Sequence, residues 1–151
     1  MQNTNFSITT VYKNWLSSAK NDKTTETELQ SIENNEKEIT DRFYCDLKFG
    51  TGGLRGKLGA GTNRMNVYTV GRATRGLAAY INKTASGNKS VVIAYDSRNM
   101  SRKFAFLAAD IFSEAGVKAY IFNIIMPTPV LSFAVRYLKT SAGIVITASH
   151  N

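Results

Sequence analysis

The sequence predicts an α/β domain of three layers, a mostly parallel, mixed sheet with helices on both faces, over residues 47–151. A helical leader, residues 1–46, is expected to pack against it. Three observations predict this. From residue 66 onward, strand-length apolar runs alternate with helix-length amphipathic segments, the spacing of right-handed βαβ units. One of those runs, Ser90-Val91-Val92-Ile93-Ala94-Tyr95, is apolar without alternation, as in a strand covered on both faces. Residues 1–46, by contrast, hold helical periodicity and no such run.

Size and composition allow a single well-packed domain. The chain has 151 residues, 43% hydrophobic and 11% aromatic, enough to bury a sizeable core. No window reaches the roughly 18 consecutive apolar residues of a membrane span, and Met1-Gln2-Asn3-Thr4-Asn5 lacks a signal-peptide pattern. A soluble, cytoplasmic protein with no membrane partner is expected. Cys45 is the only cysteine, so no internal disulfide forms, which fits a reducing compartment; a small, partly buried apolar role suits it.

Charge is uneven along the chain. Residues 1–46 carry five basic and eight acidic side chains, a net of −3, whereas the remaining 105 carry fourteen basic and three acidic, a net of +11. Such a surplus draws anions: phosphorylated metabolites, nucleic acid or acidic membrane surfaces. Solubility alone would also explain it. Arg55, Arg98 and Arg64 fall at glycine-rich or strand-end positions. Basic residues do not interleave with exposed aromatics, which argues against a nucleic-acid partner.

Taken in order, Ile8, Val11, Tyr12, Trp15 and Leu16 trace one face of a short helix, with Thr9 or Thr10 available as its cap. After a polar break at Lys20–Thr25, Leu29, Ile32, Ile39 and Phe43 mark one further, mostly solvated helix from Thr27 to Phe43. Neither carries enough apolar surface for a core of its own, so both are expected on the outside of the α/β domain.

The composition then changes, with six glycines in residues 50–61. So many exclude a regular helix, and the freed backbone can turn its N–H groups toward an anion. Arg55 adds a forked, permanently charged donor suited to phosphate. A plain glycine-rich connection fits the same pattern, because the stretch is neither a P-loop nor a dinucleotide fingerprint.

Asn66 is placed to cap a helix that turns Val70, Ala73, Leu77 and Ile81 inward. The strand Ser90–Tyr95 ends in Asp96-Ser97-Arg98. Ser101 is the expected cap of the next helix, with Phe104, Leu107, Ala108, Ile111, Phe112 and Ala115 on one face and Gly116 as its stop. Val117–Phe122 is another strand. Thr128 as cap and Pro129 at the first helical position then open a helix with Val130, Phe133, Ala134, Tyr137 and Leu138 inward, and Ala142–Ile146 is the last strand. The exits at Asp96, at Pro127-Thr128-Pro129 and at Thr147–Asn151 all leave strand carboxyl ends. They should line one rim, where open α/β sheets hold ligands, with the glycine-rich loop able to fold over it.

Thr147-Ala148-Ser149-His150-Asn151 puts a hydroxyl, an imidazole and a carboxamide at that rim. Ordinary serine hydrolysis does not fit. Ser149 and His150 are neighbours that point to opposite faces of an extended chain, no Gly-x-Ser-x-Gly elbow exposes the serine, and no third residue orients the histidine. A serine beside arginines suits phosphoryl transfer, where the protein mainly positions the group and neutralises its charge. Taken alone, His150 reads at least as readily as a satisfied surface or core imidazole.

Phe49-Gly50-Thr51-Gly52-Gly53-Leu54-Arg55-Gly56, Arg64-Met65-Asn66, Tyr95-Asp96-Ser97-Arg98, Pro127-Thr128-Pro129 and Thr147-Ala148-Ser149-His150-Asn151 follow one another in an order that resembles the first domain of the phosphoglucomutase/phosphomannomutase (α-D-phosphohexomutase) family. The resemblance covers roughly residues 45–151, and the leader is similar to that of the longer, phosphoglucomutase- and phosphopentomutase-like branch. It implies that Ser149 is a phosphoserine that gives its phosphoryl group to a sugar monophosphate and recovers one from a bisphosphate intermediate, moving phosphate between the 1- and 6-positions of a hexose. His150 is implied in proton transfer or in contact with the reacting hydroxyl. Arg55 and Arg98 are implied in holding the loop or stabilising the phosphoryl group, Asn151 in shaping the serine loop, and Thr51 and Gly52 in binding phosphate.

The same resemblance implies Mg2+ as cofactor, bridging the phosphate on Ser149 to an aspartate cluster on a second domain, and a sugar bisphosphate as activator and intermediate. Implied partners are sugar phosphates and further C-terminal domains. The sequence departs from the family by stopping at Asn151, directly after the serine loop, without that aspartate cluster. Only Asp96, Asp110 and Glu114 serve as carboxylates in the α/β part, and the helical pair Asp110 and Glu114, away from the strand ends, cannot join Asp96 in a magnesium site. The chain alone is therefore expected to be inactive. A non-catalytic anion- or phosphate-binding module is the alternative.

Overall fold

The structure, a computed structural model, describes residues 2–147, with side chains from residue 8 onward. The chain forms two compact units, Met1–Thr69 and Val70–Asn151.

The first unit begins with helices α1 (Gln2–Ser18), α2 (Lys23–Ser31) and α3 (Glu36–Phe43), a single 3₁₀ turn at Ala19–Asn21 joining the first two. Helix α1 starts well before Thr9 and Thr10, which lie inside it rather than at its cap, because nothing in residues 2–7 is a helix breaker. The single helix expected from Thr27 to Phe43 is two. Asn35 interrupts it, its side chain accepting the N–H of Glu38 at 3.1 Å, and Asp22 caps α2 by accepting the N–H of Thr25 at 3.2 Å. Each cap satisfies helix N–H groups that have no partner within the helix.

These helices share one core, to which the glycine-rich segment adds Ala60. Ile8, Tyr12 and Ala19 meet Leu29, Ile32, Ile39, Phe43 and Ala60, all buried. Tyr12 donates its hydroxyl to the carbonyl of Leu29 at 3.0 Å, and its ring meets Phe43 edge-on at 5.8 Å. Sparsely apolar helices suffice because Ile8 and Tyr12 of α1, Leu29 of α2 with the Ile32 that follows it, and Ile39 and Phe43 of α3 converge on one shared centre. The glycine-rich segment follows as a tight hairpin, β1 (Phe49–Gly50) against β2 (Gly53–Leu54), and then irregular chain to Asn66.

Helix α4 (Val67–Thr84) leads into the second unit, which holds β3 (Ser90–Tyr95), α5 (Ser101–Glu114), β4 (Lys118–Ile121), α6 (Thr128–Tyr137) and β5 (Ala142–Ile146). The three strands are parallel in the order β4-β3-β5, with Val92 opposite Tyr120 and Gly143. All six residues of the central strand are buried, as the uninterrupted apolar run requires. Val91, Ile93 and Tyr95 face Ala78 and Ile81 of α4 and Ala105, Ala108 and Phe112 of α5; Val92 and Ala94 face Leu131 and Ala134 of α6. The result is three layers. The two crossovers run in opposite directions across the sheet with their helices on opposite faces, which gives both the same hand.

Three expected details change. Ser101 is the first residue of α5 and not its cap; that place falls to Met100, in the left-handed region at φ 68°. Thr128 is likewise helical, with extended Pro127 as the flanking residue. Phe133 and Tyr137 face solvent, 59% and 74% exposed, and stack on each other at 5.6 Å, leaving Leu131 and Ala134 to make the contact with the sheet. The stop of α5 is as expected: Gly116 adopts φ 73°, its N–H donates to Ser113 and that of Val117 to Phe112 at 2.8 Å.

Candidate functional site

Two places gather the residues singled out from the sequence. The first is the hairpin tip. Thr51, Gly52 and Arg55 are exposed there, and the Arg55 guanidinium lies so close over Gly52 that a Cβ on that residue would stand 3.0 Å from Nη2. Backbone and cation thus share one small surface, the arrangement that favours an oxyanion.

The remainder of the glycine-rich segment has a different reason for its composition. Gly59 and Gly61 adopt φ 142° and 132°, and a Cβ would come within 2.7 Å of a Glu28 carboxylate oxygen or the Arg42 carbonyl, respectively. Asn66 donates to the carbonyls of both glycines at 2.9 Å while its own oxygen caps α4, accepting the N–H of Thr69 at 3.0 Å. These glycines let the segment lie flat on α3.

Arg64 belongs to the same framework. It was expected among the anion-drawing arginines, yet it is 5% exposed, bonds the Asp41 carboxylate, and donates to the carbonyls of Asp41 and Asn63 at 3.2 and 3.1 Å. The bond from its guanidinium holds the Asp41 carboxyl below its ordinary range. Arg42 does the same work nearby, bonding Glu28, Glu38 and the carbonyl of Ala60. Neither guanidinium is available to a ligand.

The second place is the carboxyl rim of the sheet, where the expected convergence occurs. Asp96 follows β3, and its N–H donates to Ile146 at the end of β5 at 3.2 Å; Met126, before Pro127, donates to Tyr95 at 3.3 Å. The Asp96 carboxylate accepts from the Thr147 hydroxyl through one oxygen and from the N–H of Arg98, at 3.0 Å, through the other. Exposed Arg98 lines a groove of about 650 Å³ with Arg102, Lys103 and Phe106, the Arg102 guanidinium lying 4.9 Å from the centre of the Phe106 ring. Ser149, His150 and Asn151 lie outside the described residues.

Sequence reading placed Asp96 and Thr147 at the rim without seeing that they bond. The parallel register, Tyr95 opposite Ile146, was the missing information, since it puts the next residue of each strand side by side. Among the described residues no three acidic, histidine or cysteine side chains come together, so they do not fit a Mg2+ site. No helix among them is long and apolar enough to cross a membrane.

Comparison with known proteins gives a consistent picture. The family described as "Phosphoglucomutase/phosphomannomutase, alpha/beta/alpha domain I" matches residues 46–151. A phosphoglucomutase of Staphylococcus haemolyticus is 50% identical over 109 residues, 72% of this chain and 20% of that protein. A phosphopentomutase of Homo sapiens is 42% identical over 146 residues, 91% of this chain and 24% of that protein. The chain thus spans about a fifth to a quarter of the length of these curated relatives. No solved structure matches it.

Proposed function

The chain belongs to the phosphoglucomutase/phosphomannomutase family through its α/β/α domain I, and from that premise we propose that it carries the phosphoserine, Ser149, of a Mg2+-dependent sugar-phosphate mutase. In the proposed cycle the bond between phosphorus and Ser149 Oγ breaks as a bond to a sugar hydroxyl forms, giving a bisphosphate. The hydroxyl proton passes to His150 or to solvent. Ser149 Oγ takes up a proton as it leaves and gives one up again when the bisphosphate returns its other phosphoryl group to it, the freed sugar oxygen gaining a proton, which leaves the sugar with its phosphate moved and the serine as it began.

The observation that carries this reading is the convergence at the rim: β5 ends at Ile146, paired with the β3 exit that bears Asp96 and Arg98. Ser149 follows that strand end by three residues in the sequence, and Arg98 at the β3 exit would meet the charge of its phosphoryl group. The exposed Arg55 on its glycine hairpin would neutralise phosphoryl charge and Arg98 would do so from the β3 exit, with Thr51, Gly52 and Asn151 shaping the phosphate contacts. Mg2+ would supply charge neutralisation at the serine phosphate, its other ligands coming from outside this chain. A sugar bisphosphate as activator, sugar phosphates and further domains as partners, no nucleic-acid or membrane partner, a cytoplasmic location and inactivity of these 151 residues alone complete the proposal.

The test is Ser149→Ala in the natural chain that carries these residues. Mutase activity should vanish while the thermal transition stays in place, and the wild-type peptide containing Ser149 should carry phosphate by mass. Near-normal turnover in the variant would refute the assignment. The groove of Arg98, Arg102 and Lys103 favours one other reading, a non-catalytic anion-binding module. An unphosphorylated Ser149 together with steeply salt-dependent, sequence-blind binding of short nucleic acids would support it.

A further inference from the structure

Only three carboxylate side chains occur after residue 46, namely Asp96, Asp110 and Glu114, and one of them sits at the rim where a phosphoryl group is proposed to react. A negative charge there opposes phosphate binding, so its presence calls for a compensating role. The hydrogen bonds supply one. A single carboxylate accepts from the Thr147 hydroxyl through Oδ2 and from the Arg98 N–H through Oδ1, while the Asp96 N–H donates to Ile146 at 3.2 Å.

We propose that Asp96 and Thr147 form a clamp that positions Ser149: Asp96 joins the exit of β3 to the exit of β5, and Thr147 transmits that placement to the serine two residues on. The inference rests on the assignment of Ser149 as the phosphoryl carrier. Two residues span at most about 7 Å of extended chain, so fixing the chain at the Ile146 carbonyl and again at the Thr147 side chain restricts where the serine hydroxyl can reach. Acceptance by an ionised group makes both carboxylate bonds stronger than neutral ones. The same carboxylate holds the backbone of Arg98, so the proposed nucleophile and a proposed phosphate-binding cation are referred to one point. Asp96 and Thr147 are positioning residues; neither needs to touch the substrate.

The experiment is steady-state mutase kinetics on the natural chain with Thr147→Val, Thr147→Ser, Asp96→Ala and the double variant Asp96→Ala/Thr147→Val. Valine keeps the shape of threonine and removes the hydroxyl. Misplacement of a reacting group by about 1 Å costs on the order of 100-fold, so Thr147→Val should lower kcat by about 10- to 100-fold with KM within about threefold. Thr147→Ser should restore most of the rate, and the double variant should be no slower than Asp96→Ala alone, since both remove one interaction. Unchanged thermal transitions would separate this from unfolding. Wild-type kcat in Thr147→Val, or fully additive losses in the double variant, would overturn the clamp while leaving Ser149 as carrier. A wild-type chain with no turnover and no phosphate on Ser149 would overturn both.

Discussion

Two arginines of the first unit behave unlike any arginine of the second. In residues 1–69, Arg42 and Arg64 are turned inward, paired with Glu28, Glu38 and Asp41 and donating to backbone carbonyls. In residues 70–147 every arginine, at 72, 75, 98, 102 and 136, is exposed. The difference lies in the backbone. Strands β3, β4 and β5 satisfy one another's N–H and C=O groups, so the core of the second unit needs only apolar side chains. The glycine-rich segment of the first unit has little ladder of its own, and its carbonyls are met by Arg42, Asn66 and neighbouring backbone N–H groups. Arg42 and Arg64 thus serve the irregular backbone around the glycine-rich segment, whereas Arg55 at its hairpin and the arginines of the second unit stay exposed.

Removing a core side chain from each unit tests the contrast most severely. Phe112→Ala should cost about 3–5 kcal/mol and Leu29→Ala about 2–5 kcal/mol in urea unfolding, since each is fully buried. A loss below about 1 kcal/mol for Leu29→Ala would mean that the helical unit has no core of its own.

Exchanging the arginines themselves sharpens it. Arg64→Met should cost about 2–3 kcal/mol, because Asp41 and two carbonyls lose their donor, whereas Arg98→Met should stay within about 0.5 kcal/mol. Equal losses would erase the distinction. The pH dependence has a defined sign: Asp41 is held below its ordinary pKa by Arg64, so the pair contributes fully above about pH 4 and its contribution is lost as pH falls through the depressed value. Wild type should therefore lose more stability than Arg64→Met on acidification.

The smallest effect has the opposite sign. The hydroxyl of Ser90 is fully buried without a hydrogen-bond partner, at the start of the otherwise apolar β3. Ser90→Ala should raise stability by about 1 kcal/mol, measured by the urea midpoint. A decrease would show that an apolar core is not what this position requires.

Much of this was legible beforehand, and unevenly. Period-two and period-3.6 patterns report local backbone, so β3, β5 and the body of α5 lie where the residues put them. Caps were harder. Asn66 was found because its side chain bonds within three residues, but Ser101 and Thr128 were misplaced by one, since a hydroxyl just before or just inside a helix looks the same in sequence. The break at Asn35 is signalled by Asn35 and Glu38, but the helical spacing of Leu29, Ile32, Ile39 and Phe43 runs across it and reads as continuous.

At the rim, Asp96, Pro127 and Thr147 were legible in sequence as strand exits, because a parallel βαβ order sends every strand exit to one rim. What the tertiary structure alone decided was pairing between distant residues. Arg64 with Asp41 is 23 residues apart and Thr147 with Asp96 is 51, and no local pattern encodes such a contact. Only the folded register brings those side chains within reach, and it is that proximity which makes one arginine a brace and leaves another facing solvent beside the rim.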